Sequence, residues 1–385
     1  MKGVISDYEE SAGIRNTYRV LPFQGIWTWL TGREMAGRKT LWRSNSTEMI
    51  CWALSWVLGG SILIILSLPG LSNNHWDALI YIVGALLSAS GSRYVVATII
   101  HHGVHGHLYK SQILNKIICE ILSTLFIVQP YASYRQFHVY EHHGKKFSTI
   151  EDKDLAAIYK LGFVPGKSKS ALYLNLFIKL FSPFFHLSFL YGRIKSNLIG
   201  VPLYRFAMSI LWIGILASIV WFYGVGVFCL LVVVPLVFVY QAASLLHLLT
   251  EHVWLLRGKG ETVRDSHIKN CHGRFCGAPC PSSFTIAKVP QWFAWIVAHL
   301  FYHLPVRMLV VQGSLVCHDW HHRYGSVRQW FDYAALREAS AQKLLREDKY
   351  DYIDIWGLHN CLNYVFEMIS ASAEVDVDHL EYRLN

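Results

Sequence analysis

The chain alternates long apolar runs with polar, histidine-bearing segments. Residues 49–68 carry no formal charge over twenty positions, and a helix of about 20 residues crosses a hydrocarbon core. From Phe206 to Thr250 there are 45 residues without a charged side chain, about two crossings' worth. Tyr223-Gly224-Val225-Gly226 is a turn signal that divides this run into crossings over 206–222 and 226–249. A fourth crossing is predicted over 78–100, with Arg93 inside it, near an interface or in a buried pair. Residues 171–192, broken at Pro183, and 291–312, interrupted at Pro305, have the pattern of helices lying along the membrane surface. The stretch holding Trp356, Leu362, Val365, Phe366 and Ile369 reads as a packing helix. The first 48 residues are polar and lack the apolar core of a signal peptide.

This pattern predicts an all-α integral membrane protein, four transmembrane helices with a cytosolic helical cap. It divides as a cytosolic N-terminal segment 1–48, a membrane domain 49–330 and a cytosolic C-terminal helical segment 331–385. Charge fixes the expected orientation. Of the 35 Lys and Arg residues, seven precede the first crossing, thirteen lie between the second and third, and fourteen follow the fourth. Arg93 is the remainder, and the short loops 69–77 and 223–226 contain none. The positive-inside rule then places both termini and the central loop in the cytoplasm, a bacterial inner membrane being the expected setting. The net charge of +9 favours anionic headgroups and acidic protein partners. No recognition motif accompanies it, so nucleic acid is not expected as a partner.

Candidate chemistry lies in three histidine clusters. They are His101-His102-x-x-His105-x-His107, His138-x-x-x-His142-His143 and His318-x-x-His321-His322. Positions i and i+3 or i+4 share a helical face, so each cluster can aim two or three ring nitrogens at one point. Imidazole suits iron, zinc or copper, whereas magnesium and calcium prefer oxygen. The predicted topology puts all three clusters on the cytoplasmic side, because two crossings separate the second from the third.

These boxes resemble those of the membrane fatty acid desaturase and hydroxylase superfamily, whose pattern is His-x(3–4)-His followed by two His-x(2–3)-His-His boxes. The first box runs Ile100 to Tyr109, similar to the phrase His-x-x-x-His-Gly-x-Leu-Phe, and Glu151-Asp152-Lys153-Asp154-Leu155 resembles the acidic stretch that follows the second box in bacterial members. Glu251-His252 matches a further family feature after the fourth crossing. The resemblance covers roughly residues 45–330 and implies two iron ions, with dioxygen as co-substrate. The implied ligands are His101, His105, His138, His142, His143, His252, His318, His321 and His322. His102 and His107 also fit the first box as alternative ligands, so its register stays open. Asp152, Asp154, Glu251 and Asp319 are candidate acceptors that would fix imidazole tautomers, or else solvated and helix-capping carboxylates.

The resemblance implies desaturation of a lipid or acyl-carrier-linked chain, with electrons from an external ferredoxin or b-type cytochrome. The chain itself has no iron–sulfur run, nicotinamide fingerprint or His-Pro-Gly-Gly haem signature. A hydroxylase or acetylene-forming enzyme on the same scaffold is one alternative, and a non-catalytic membrane metal-binding protein is another. The third box departs from the family pattern, continuing Arg323-Tyr324-Gly325 instead of Leu-Phe-Pro. Cys271, Cys276 and Cys280, beside His267 and His272, read as an ordinary loop or a small zinc site, though without paired Cys-x-x-Cys units. His247 reads as a packed or polar-handle residue, and His299 with His303 as packing, interfacial or channel-lining histidines. His186, His359 and His379 carry no functional expectation.

Overall fold

The computed structural model describes residues 5–38 and 44–375, so His379 lies outside the described residues. Helix dominates. Four helical runs are long and apolar enough to cross a membrane: Ser46–Gly70, His75–Val104, Leu203–Glu251 and Ile286–Val310. The first two contain the crossings expected over 49–68 and 78–100. The third contains both of the others, and Gly224 interrupts its helical backbone with φ 83 and ψ 164. That left-handed position is one only glycine adopts cheaply, and it lies inside the turn signal.

The fourth run departs from expectation. Pro305 does not end the helix, because π-helical turns over His299–His303 and Val306–Val310 flank it and accommodate its missing N–H. Pro183 acts as expected: Lys169–Phe181 and Pro183–Leu198 meet at a 68° bend. Ser182 caps the second of these helices by accepting from the Phe185 N–H at 3.3 Å.

The chain forms two compact units that interleave along the sequence. One comprises residues 44–139 and 177–245. Its Ser46–Ser67 helix starts at Asn45, whose side chain accepts from the Glu48 N–H. This helix packs on His75–Tyr94 through small residues, the means by which apolar helices approach closely without a hydrophobic driving force between them. A Cβ at Gly60 would stand 2.4 Å from the Ser88 nitrogen, and one at Gly91 would stand 2.6 Å from the Ala53 carbonyl oxygen. Arg93 is indeed in a buried pairing, donating to Ser244 Oγ at 2.9 Å and lying 5.4 Å from the Tyr240 ring centre. Arg205 is fully buried and held by Glu120 (2.9 Å), Ser123 (2.6 Å) and Asn197 (2.6 Å).

The other unit comprises the described residues of 1–43, 140–176 and 246–385. It contains a feature the helical expectation lacks, a small sheet of Ile5–Ser6, Asp354–Trp356 and Gly273–Phe275. Asp354–Trp356 is central, antiparallel to the first strand and parallel to the last. Strands of two or three residues are too short to show a period-2 pattern. A buried charge cluster surrounds the central strand. Arg337 donates to Asp319 and Asp354, each at 2.6 Å, and Arg33 pairs with Asp354 and with Glu338 (3.6 Å). All five side chains are nearly sealed from solvent.

Candidate metal centre

The first box sits at the end of the His75–Val104 run. A π-helical stretch, Val95–Ile100, precedes it and shifts the helical register just before His101. The Gln112–Leu125 helix crosses closely here: a Cβ at Gly103 would stand 2.1 Å from Cys119 Sγ. Arg135, at the start of the second box, donates to the Val104 carbonyl and to Tyr131 Oη at 3.3 Å. The bond to Val104 ties Arg135 to the end of the first box. His101, His105 and His138 then form a trio with ring centres 4.3 to 5.2 Å apart. Their ligand nitrogens lie within 4.8 Å of one another. His102 and His107 join no metal-sized group among the described residues.

The other unit holds the remaining predicted ligands. His142 lies in the π-helical Gln136–Lys145 segment, His252 just after Glu251, and His318 and His322 on the short His318–Arg323 helix. Their ligand nitrogens also lie within 4.8 Å of one another, and all four rings are buried. His142 Nε2 is 3.3 Å from His252 Nε2, and His318 Nε2 is 3.0 Å from His322 Nε2. Imidazoles bound to one ion at about 2.0–2.1 Å stand about 3.0 Å apart at a right angle and about 3.4 Å apart at a tetrahedral one. The residues therefore fit a metal ion. His143 stacks on His322 with ring centres 4.0 Å apart and lies 4.7 Å from the His321 ring.

Each ring is backed differently. His142 Nδ1 faces both oxygens of Asp152 at 3.0 and 3.1 Å, with Asp154 at 3.9 Å. Asp152 Oδ1 also accepts from the Asp154 N–H, at the start of the Lys153–Lys160 helix. Asp152 is thus a helix cap and an imidazole acceptor at once. Burial opposes a charge on His142, but the Asp152 charge and hydrogen bond outweigh it and raise the ring to about 9. His252 Nδ1 faces Cys271 Sγ at 3.3 Å, across a bridge between the two backbones. Burial lifts the Cys271 thiol well above its usual range, so it is neutral. Burial also holds His252, His318 and His322 below the usual histidine range, leaving neutral rings with lone pairs.

Glu251 faces His318 Nε2 at 3.0 Å and His247 Nε2 at 3.3 Å. Asp319 takes another role: its carboxylate accepts from Arg337 and from the Trp320 N–H, and no imidazole is among its partners in the described residues. It anchors the third box to the charge cluster instead of setting a tautomer.

Several participants carry no signal in the boxes. Phe147 packs edge-on against His142, His252 and His267, its ring centre 4.5 to 5.3 Å from theirs, and closes one side of the nest to water. His267, on the Val263–Asn270 helix, lies 4.7 Å from the His322 ring, and burial lowers it to about 4. Arg274 Nη1 lies 3.3 Å from His247 Nδ1, so His247 belongs to the layer behind the nest. The only sequence signal for this layer is the Cys- and His-rich segment 267–280. No cysteine joins a metal-sized group among the described residues. His299 and His303 are engaged in packing: His299 bonds Tyr18 Oη (2.7 Å) and the Trp295 carbonyl (2.7 Å), and His303 accepts from the Gly277 N–H.

A family model described as fatty acid desaturase matches residues 76–305. The match spans the first two boxes and Glu251-His252 and ends before the third box, which continues the same nitrogen nest. No curated protein matches the chain. With apolar helices able to cross a membrane and histidine clusters that could hold a metal, the matched region spans well over half of the sequence, and the chain belongs to the fatty acid desaturase family.

Proposed function

We propose that the chain desaturates a fatty acyl or lipid-like chain with dioxygen, at a centre of two iron ions. The observation that carries this reading is the buried nest of His142, His252, His318 and His322, with Asp152 fixing one tautomer. The resemblance also implies His101, His105, His138, His143 and His321 as ligands. Bound iron and dioxygen supply the oxidant that an unactivated C–H bond requires. Converting two methylenes to an alkene while reducing dioxygen to two waters also consumes two external electrons and two protons. A ferredoxin or b-type cytochrome is the proposed donor.

The chain's own residues do the positioning. Asp152 holds a proton on His142 Nδ1, so the proton an ion displaces is the one on Nε2. Phe147 keeps water from one side of the nest. The apolar helices offer an environment in which a lipid substrate partitions.

Topology supports the same reading. His142 and His252 are 5.2 Å apart at their ring centres, so the chain between them leaves and re-enters on one side. Leu203–Glu251 has 49 residues, which as one helix would extend about 73 Å, more than twice an apolar core of about 30 Å. We place a return at Gly224. His252 and His318 are equally close, at 5.1 Å, so Ile286–Val310 does not cross as a lone span but lies in or re-enters from one face. The positive-inside pattern makes that face cytoplasmic.

The test is expression in a host, with lipids compared by mass spectrometry. Desaturation removes about 2 Da, whereas hydroxylation adds about 16 Da. His142→Ala, His321→Ala and His322→Ala should each lose bound metal and product while the protein still inserts. His186, bonded to Gln241 and the Leu180 carbonyl, should tolerate Ala without metal loss. Product formed at the wild-type rate by His322→Ala would overturn the proposal.

A further inference from the structure

The tautomers around Glu251 distinguish two kinds of contact. A guanidinium only donates, so Arg274 Nη1, 3.3 Å from His247 Nδ1, makes that nitrogen the acceptor. The His247 proton is therefore on Nε2, which donates to Glu251 Oε1 at 3.3 Å. Nothing in that bond changes when an ion enters the nest. His318 is different. The nitrogen that faces Glu251 Oε1 at 3.0 Å is the same Nε2 that faces His322 Nε2 at 3.0 Å. A ring nitrogen that gives its lone pair to a metal carries no proton. Once His318 Nε2 is a ligand, it has nothing to donate to Glu251, and two bare acceptors 3.0 Å apart repel each other unless a cation lies against both.

We propose that Glu251 is itself a metal ligand through Oε1, so that this ion is held by four imidazoles and one carboxylate. The inference rests on the proposed metal-dependent function. Two ligands at right angles on bonds of about 2.1 Å stand about 3.0 Å apart, which is the separation of His318 Nε2 from both Glu251 Oε1 and His322 Nε2. Glu251 is outside the set whose ligand atoms all lie within 4.8 Å of one another, so binding includes a rotation of the carboxylate toward the nest. Binding at His318 shifts the ring to the tautomer protonated on Nδ1, so the imidazole stays neutral. The carboxylate supplies one negative charge to an otherwise neutral ligand set, a harder donor suited to iron. His247 and Arg274 position it: the guanidinium orients the imidazole, and the imidazole orients Oε1.

The experiment loads full-length protein in detergent with ferrous 57Fe and compares wild type with Glu251→Gln and Glu251→Asp. Metal per chain, Mössbauer spectra and iron loss to a chelator are recorded. Glu251→Gln should alter the quadrupole doublet of one iron and release that iron at least tenfold faster, and Glu251→Asp should restore part of both. Should Glu251→Gln fail to fold, wild type labelled with 13C at the glutamate side-chain carboxyl serves instead. Electron–nuclear double resonance on its mixed-valent form should then show a coupled carboxyl carbon. Iron bound with spectra unchanged in Glu251→Gln, or no coupled carbon, would overturn the proposal and leave the metal reading intact. Wild type that binds no iron would overturn both.

Discussion

Asp152→Asn isolates how far one carboxylate tunes the nest. The two side chains are about 1% exposed, and His142 Nδ1 touches both Asp152 oxygens. Burial alone would push His142 below 6.5, yet it rises to about 9, with Asp152 the largest favourable influence and Asp154 and Glu251 behind it. The net rise corresponds to about 3 kcal/mol in favour of positive charge on the ring. An ion at Nε2 takes the place of that positive charge, so the same field strengthens metal binding by at most a similar amount. Asparagine keeps a hydrogen-bonding oxygen and the shape but loses the charge. The expected result is a 10- to 100-fold weaker affinity, the range seen when an acceptor behind a ligating histidine is removed.

The assay is competition for ferrous iron or cobalt against a chelator of known affinity, with helical content checked by circular dichroism. An affinity within twofold of wild type in a folded Asp152→Asn protein would refute the reasoning, since it would mean the His142 ring is set by packing and not by charge.

Two other outcomes follow from the same geometry. Because His142 is raised to about 9, it is protonated without metal between about pH 6.5 and 9, and metal must displace that proton. Affinity should therefore climb as pH rises and level off above about 9. Calorimetry in buffers of differing ionisation enthalpy should show proton release at pH 7.5, and a pH-independent affinity over 6.5–9 would contradict the assignment. Arg337→Leu leaves Asp319 without its guanidinium and Asp354 with Arg33 alone, a loss expected to destabilise by about 3–5 kcal/mol. Thermal unfolding in detergent checks this, and an unchanged midpoint would show that the cluster does not hold the third box.

The parts of the fold that are legible in the sequence are those encoded locally. The helical runs containing 49–68 and 78–100 and the break at Gly224 follow from uninterrupted apolar runs and one glycine. The pairing of His318 with His322 follows from an i,i+4 spacing. The continuity of Ile286–Val310 through Pro305 was not legible, because a proline is an ambiguous signal and the π-helical turns flanking it accommodate its missing N–H. Asp152 and Glu251, candidate acceptors from the sequence, face His142 and His318, but other partners were not legible because they are distant in sequence. Asp319 meets Arg337, eighteen residues on, and Cys271 meets His252 through a backbone bridge of one residue pair. Within the Cys- and His-rich segment, residue types left an ordinary loop or a small zinc site open. Folding instead spends Cys271 and His267 on the nest and leaves Cys276 and Cys280 buried elsewhere.

Identical residue types therefore become unequal candidate ligands. His142 is backed by a charged carboxylate, and His252 by a thiol that burial keeps neutral. His322 Nδ1 has no hydrogen-bond partner among the described residues and relies on stacking against His143. Imidazole basicity follows the charge of its acceptor, so electron donation to an ion falls in that order. The histidine boxes specify how many nitrogens converge. The asymmetry comes from the carboxylate, the thiol and the stacked ring behind them, and these would give a bound ion a strongly donating side and a weakly donating one.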